Sequence, residues 1–205
     1  MSLADFRERI AAGSPTPGGG AVSAVTATLG VGLVVMGLEV TLRGADAAKR
    51  TALDSLLQTG RDLLERQSAH ADRDLKVFDA YMRARSLPQE SEGEKSARRE
   101  KMQRALVAAT EVPLAAARDI VAAIDLSRQV IEICKQQVLG DVAAGADLLS
   151  GSFTGVLRSV TANLPGIAEG PLRTRLEDER KALTEAAAKS VEGAQAALEA
   201  RQKKV

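Results

Sequence analysis

The sequence predicts an all-α protein, a multi-helix bundle with a buried small-residue helix at its centre, and three observations carry that expectation. No stretch alternates polar and apolar residues for more than a few positions, so the pattern of a half-buried strand is missing. From Gly18 through Leu38 there is no charged residue, and apolar side chains fall on every face, as in a helix enclosed by others. Elsewhere leucine, isoleucine and valine recur at helical spacing between charged positions, with proline and glycine marking the joints. The chain contains no internal repeat.

Composition narrows function before any motif is considered. The 205 residues are expected to form one helical domain spanning 1–205, long enough to bury a core. Lysine plus arginine number 28 against 27 aspartate plus glutamate, and aromatic residues make up only 2%. That leaves neither the basic surface nor the stacking platforms that nucleic-acid binding needs. Cys134 is the only cysteine and His70 the only histidine, which excludes an internal disulfide, a cysteine-based zinc site and most Cys/His nucleophile designs. No metal is expected. With no signal-like amino terminus, a reducing cytoplasm is the expected compartment. Any catalysis falls to carboxylates, amides, hydroxyls, lysine or arginine.

In chain order, residues 3 to 12 put Leu3, Phe6 and Ile10 on one face, a short amphipathic helix expected to dock beside the central one. It stops at Gly13-Ser14-Pro15. Pro15 and Pro17 disfavour helix at the residues before them, and Gly18-Gly19-Gly20 permits a tight turn. The uncharged helix begins there and is read as wholly buried. Ser23, Ala27, Gly30, Val34, Gly37 and Thr41 share one face on which another helix backbone can approach closely. Its length would span a bilayer, but Ser23, Thr26, Thr28 and the glycines keep it mildly hydrophobic and its flank is not basic, so it is read as a core helix rather than a membrane span. Glu39 either emerges into solvent or sits in a cleft.

Arg43-Gly44 ends this helix, and Asp46 caps a long one that runs to about Ser86. Pro88 and the polar residues 89 to 93 form a loop. The next helix starts near Glu94, kinks near Glu111 because of Pro113 and continues through Ile124. A separate helix is expected over 126 to 138, then a break at Gly140 with Asp141 capping the helix that follows. Residues 142 to 164 form a second helix built for close packing, and Pro171 opens the last one, which is expected to fray at its end.

A few residues carry possible chemistry. The glycine turn at a helix start gathers free amide groups, an anion site or simply a tight turn; with no following lysine and no preceding strand it is not a P-loop. Asp74 and Asp79 lie five apart and face different directions, Asp79 reading as a solvated charge. His70, one turn before Asp74, is placed to pair with it, though such a histidine is more often a surface residue. Ser159 and Asn163 share a face, where a buried amide serves as a hydrogen-bond hub or a ligand contact.

Taken in order, Pro15-Thr16-Pro17-Gly18-Gly19-Gly20, Met36 and Thr41, Asp74 with Phe78-Asp79, Leu87-Pro88, Val112-Pro113-Leu114, Gly140-Asp141 and Ala162-Asn163-Leu164 resemble the cyclodeaminase/cyclohydrolase family over nearly the whole chain. The resemblance implies an all-helical homodimer acting on a tetrahydrofolate derivative. The first expectation is a formimidoyltetrahydrofolate cyclodeaminase, with methenyltetrahydrofolate cyclohydrolase as the alternative and a non-catalytic helical binding protein as a third. Position by position it nominates Pro17, Gly18, Gly19, Gly20, Thr41, Arg43 and Asn163 for substrate binding, and Asp74 and Asp141 as candidate proton-transfer carboxylates. Three departures bear on it: Leu42-Arg43-Gly44-Ala45-Asp46 stands where the family has a Gly-basic-basic stretch, leaving Arg43, Lys49 or Arg50 to meet an anionic tail, Ser159 stands where an asparagine is frequent, and Gly140 stands where a serine often precedes the aspartate.

Overall fold

In a computed structural model that describes residues 2–203, the chain forms six α-helices and two short 3-10 turns, with no strand among the described residues. The helices are α1 Leu3–Ala11, α2 Gly19–Leu42, α3 Ala47–Arg85, α4 Glu92–Ile133, α5 Leu139–Asn163 and α6 Pro171–Gln202. The all-α expectation holds. Local signals fix most helix starts: Ser2 and Ser91 build capping boxes with Asp5 and Glu94, and Asp46 accepts from the Lys49 amide at 3.0 Å.

α2, α3, α4 and α5 pack as long neighbours around a core of Val31, Val34, Leu38, Leu114, Ile120, Ile124, Leu149 and Val160, with α6 laid along α4. The small-residue face of α2 meets α5 within the subunit. A Cβ on Gly30 would come within 2.9 Å of the Gly145 carbonyl oxygen, and one on Gly145 within 2.8 Å of the Gly30 carbonyl oxygen, so the two glycines let the backbones touch. Gly155 likewise lies against Ser23, which makes α2 and α5 antiparallel and brings the start of α2 beside the end of α5. α6 is latched at its far end by Arg201, which donates to the Ile131 and Cys134 carbonyls at 2.8 and 2.9 Å and so satisfies the carboxyl end of α4.

Four expectations are corrected. α2 is enclosed on one side only: Leu29 is 56% exposed, and Val25, Leu33 and Met36 on the same face are half-buried. α1 buries only Phe6, with Leu3 72% exposed, so it is not the docked amphipathic helix that its pattern predicts. The separate helix over 126 to 138 does not exist, because α4 runs unbroken through Pro113 to Ile133; nothing at Asp125-Leu126-Ser127 breaks a helix, and the apolar face continues through Val130 and Ile131. Asp141 is not a cap. The turn Gln136–Val138 leads directly into α5, whose cap is Val138, and Asp141 lies exposed in the first turn.

Candidate active site

The antiparallel arrangement of α2 with α3 and α5 gathers the start of α2, the second half of α3 and the end of α5 around a cavity of about 300 Å³. Gly18, Gly19, Gly20, Asp74, Asn163 and Ser159 all line it. Phe78 and Tyr81, on the next turns of α3, add an aromatic wall. None of the residues lining the cavity is lysine or arginine.

Asp74 reaches across from α3 to lie over the first turn of α2, where its carboxylate accepts from the Ala21 amide. It thereby caps a helix that has no side-chain cap of its own. Gly20 makes this possible: a Cβ there would stand 2.6 Å from one carboxylate oxygen and 2.8 Å from the other, closer than atoms can pack. Burial raises the Asp74 carboxyl above the ordinary aspartate value, and the Ala21 amide opposes that only in part. The carboxyl is therefore a better proton acceptor than a solvated aspartate.

Asn163 is held from the opposite side. Pro113 has no amide hydrogen, so the carbonyl of Ala109, one turn earlier in α4, loses its helical partner. Asn163 Nδ2 donates to that carbonyl at 2.9 Å. The bond fixes the amide, and Oδ1 has no hydrogen-bond partner among the described residues. Pro17 is buried beneath the turn, and the Thr16–Pro17 peptide is cis.

Three nominated residues lie elsewhere. Thr41 and Arg43 stand at the carboxyl end of α2, roughly 30 Å of helix from Gly18. Thr41 Oγ1 donates to the Gly37 carbonyl at 2.7 Å and accepts from the Lys135 amide at 3.2 Å, while Arg43 is exposed. With Gly44, Asp46, Lys49 and Lys135, Thr41 borders a second cleft of about 520 Å³. Asp141 is at the opposite end of α5 from Asn163, again by about 30 Å. Within one subunit these three cannot reach the cavity that holds Asp74.

His70 departs from its reading as a surface group. It is 2% exposed, and its Nε2 lies 2.9 Å from Asp119 Oδ2 on α4 rather than on Asp74. Arg66 Nε donates to the other Asp119 oxygen at 3.0 Å. Burial pushes the Asp119 carboxyl up, but the hydrogen bonds and charges of His70 and Arg66 outweigh it and hold it below the ordinary value. No local signal marks Asp119, which stands far from His70 in sequence. Tyr81 was missed for a different reason: one aromatic on an amphipathic helix reads as core. Among the described residues, no group of three or more His, Cys, Asp or Glu is placed to hold a metal ion.

Residues 2–182 match the family model described as formiminotransferase-cyclodeaminase. The chain belongs to that family. The methenyltetrahydrofolate cyclohydrolase of Methylorubrum extorquens is 34% identical over 193 residues, 94% of this chain and 88% of that protein. The formimidoyltransferase-cyclodeaminases of Gallus gallus and Sus scrofa are 27% and 26% identical, over 84% and 98% of this chain. The chain spans 32% and 37% of those longer proteins. A solved structure, the formiminotetrahydrofolate cyclodeaminase of Thermotoga maritima, shares the fold with a TM-score of 0.85 at 23% identity, over 98% of this chain and 96% of that one. This family member therefore has the relatives that the proline-glycine turn and its companion motifs led one to expect, enzymes whose names place them on folate derivatives.

Proposed function

We propose that this family member is a folate one-carbon enzyme and, within that class, a methenyltetrahydrofolate cyclohydrolase. The choice between the two activities rests on sequence identity: a cyclohydrolase is 34% identical over most of both lengths, whereas the cyclodeaminases named above are 23% to 27% identical. Cyclodeaminase chemistry, the first expectation from sequence, is the second reading. The observation that carries the enzymatic reading is Asp74, a carboxylate of raised proton affinity in a cavity whose lining has no cationic side chain. A cationic methenyl carbon between two nitrogens suits such a cavity.

In the proposed reaction, water adds to the methenyl carbon and Asp74 takes its proton. The tetrahedral carbon then collapses: the bond to N5 breaks, N5 receives the proton held on Asp74, and the hydroxyl proton leaves as the formyl C=O forms. One proton is released overall. Asn163, its Nδ2 committed to Ala109, offers Oδ1 to an N–H of the pterin, while Phe78 and Tyr81 flank the ring. Gly18, Gly19 and Gly20 border the same space.

An absorbance assay for the methenyl chromophore, run in both directions, tests this. Accelerated loss of the chromophore is the expected result. Its appearance from 5-formimidoyltetrahydrofolate would assign cyclodeaminase activity instead. Silence in both directions from folded protein would leave a helical binding protein that has kept the fold without the chemistry.

The same reading includes a homodimer in the cytoplasm. Val25, Leu29, Leu33 and Met36 form an uncharged face on α2 that the subunit leaves open, with the exposed Leu148 of α5 available beside it. A second copy of the chain is the proposed cover, and a sedimentation coefficient of a monomer at micromolar concentration would contradict it.

A further inference from the structure

The hydroxyl groups of α5 fall into two sets. Ser152, Thr154 and Thr161 each donate to the carbonyl oxygen four residues earlier, at 2.7, 3.3 and 2.9 Å, a common fate for a hydroxyl on a helix. Ser159 makes no such bond and has no hydrogen-bond partner among the described residues. Ser150, the other unspent hydroxyl of this helix, borders a separate cleft against α6. Ser159 borders the cavity that holds Asp74 and Asn163.

The register of α2 against α5 locates Ser159 within that cavity. Gly145 packs on Gly30 and Gly155 on Ser23. Because the helices are antiparallel, one turn onward from Gly155 and one turn back from Ser23 bring Ser159 beside Gly19, and a further turn brings Asn163 beside Pro15. All four of these residues line the cavity. Gly20, the neighbour of Gly19, is the residue over which the Asp74 carboxylate lies. Ser159 and Asp74 thus approach the same turn of α2 from two different helices. Of the other hydroxyls at the cavity, Tyr81 stands two turns of α3 beyond Asp74, about 10 Å along the helix, and Thr16 lies outside α2 on the proline turn.

We propose that the Ser159 hydroxyl and the Asp74 carboxylate together hold the water that attacks the methenyl carbon. The inference rests on the hydrolytic reading proposed above. Water has two lone pairs and two hydrogens. Ser159 Oγ–H donates to one lone pair and Asp74 accepts one hydrogen, which leaves the second lone pair to meet the substrate. As the carbon–oxygen bond forms, a water O–H bond breaks and its proton passes to Asp74, while the electrons of the C=N bond withdraw onto nitrogen and cancel its positive charge. The Ser159 O–H bond never breaks; it follows the oxygen from water to hydroxyl to formyl carbonyl. An amine nitrogen has a single lone pair, which attack on carbon consumes, so it gains nothing from the Ser159 donor. Ser159 is in this way a catalytic residue that favours oxygen over nitrogen as the nucleophile.

Turnover of methenyltetrahydrofolate by wild type and Ser159→Ala, with and without hydroxylamine as a competing nucleophile and with the products separated by chromatography, tests the assignment. Ser159→Ala is expected to lower kcat about tenfold, the worth of one hydrogen bond, while KM stays close to wild type. The hydroxylamine adduct is expected to form as fast as in wild type, so its share of the product rises. Tm should be no lower than wild type, because the hydroxyl bonds nothing in the protein and alanine is the better helix former. An equal fall in hydrolysis and trapping, or a fall in Tm, would mean that the hydroxyl serves the fold of the cavity, and either overturns the assignment. A wild type that hydrolyses the methenyl compound at the same rate as Ser159→Ala keeps the hydrolytic reading and discards Ser159 alone. A wild type that leaves the compound untouched discards that reading and the held water with it.

Discussion

At Asp74 two influences oppose each other, since burial raises the carboxyl and the Ala21 amide lowers it, with burial the larger. The folded state therefore holds a proton at Asp74 over a pH range where the unfolded chain has lost it. Stability contributed by this residue falls as pH rises through that range, and at neutral pH the ionised carboxylate weighs against the fold. Asparagine keeps an oxygen for the Ala21 amide and carries no charge. Asp74→Asn is accordingly expected to have a Tm at pH 7 equal to or above wild type, a difference that closes in acid, while turnover falls by about 100-fold or more. A residue that served only as a cap would show the stability difference and leave turnover unchanged. Gly20→Ala drives a Cβ into the Asp74 carboxylate and is expected to lower turnover with the helical signal retained, as circular dichroism beside the activity assay would report.

Asp119 behaves in the opposite sense. Burial raises its carboxyl, but His70 and Arg66 more than offset this, so its folded value lies below the unfolded one. It stabilises the fold above the unfolded value, and that contribution is lost as pH falls through the folded value. Asp119→Asn is expected to be less stable than wild type at neutral pH and to show a flatter loss of stability in acid, measured by urea unfolding at several pH values.

Among the elements, Pro113 of α4 and Asn163 at the end of α5 account for each other. Proline leaves the Ala109 carbonyl without a helical donor, and Asn163 supplies one at 2.9 Å. Asn163→Ala is expected to cost about 1 kcal/mol by leaving that carbonyl short of a partner. In a Pro113→Ala background the residue 113 amide can bond the carbonyl again, so the same change costs less; the double-mutant cycle reads the difference as a coupling of roughly 0.5–1 kcal/mol. Additive effects would mean that the proline and the asparagine are independent. From sequence, Val112-Pro113-Leu114 was a kink and Asn163 a hub or a ligand contact, and neither pattern pointed at the other. Local signals carried what local chemistry decides: the Asp46 cap, the Pro171 start, the long α3, and the α2 face of Ser23, Gly30 and Gly37 that meets α5. Pairings across long sequence separations, such as His70 with Asp119, leave no mark in a short window. The break expected after Ile124 is absent because no residue there stops a helix.

For the whole molecule, the antiparallel course of α2 and α5 decides which nominated residues share a site. It unites Gly18, Gly19, Gly20, Asp74 and Asn163 around one cavity and sends Thr41, Arg43 and Asp141 to the other end. A nomination by position in the chain includes all eight and has no means of dividing them. The open apolar face of α2 belongs to this scale too. Leu29→Glu places a charge at its centre and is expected to shift the protein to monomer in sedimentation with its helix content unchanged. The central claim is that Asp74 moves the proton in folate chemistry. Its most direct measurement is the rate of methenyltetrahydrofolate hydrolysis by wild type and Asp74→Asn at equal concentration of folded protein. A rate well above the uncatalysed one in wild type, lost in the variant, is the predicted result; equal rates from the two proteins would contradict it.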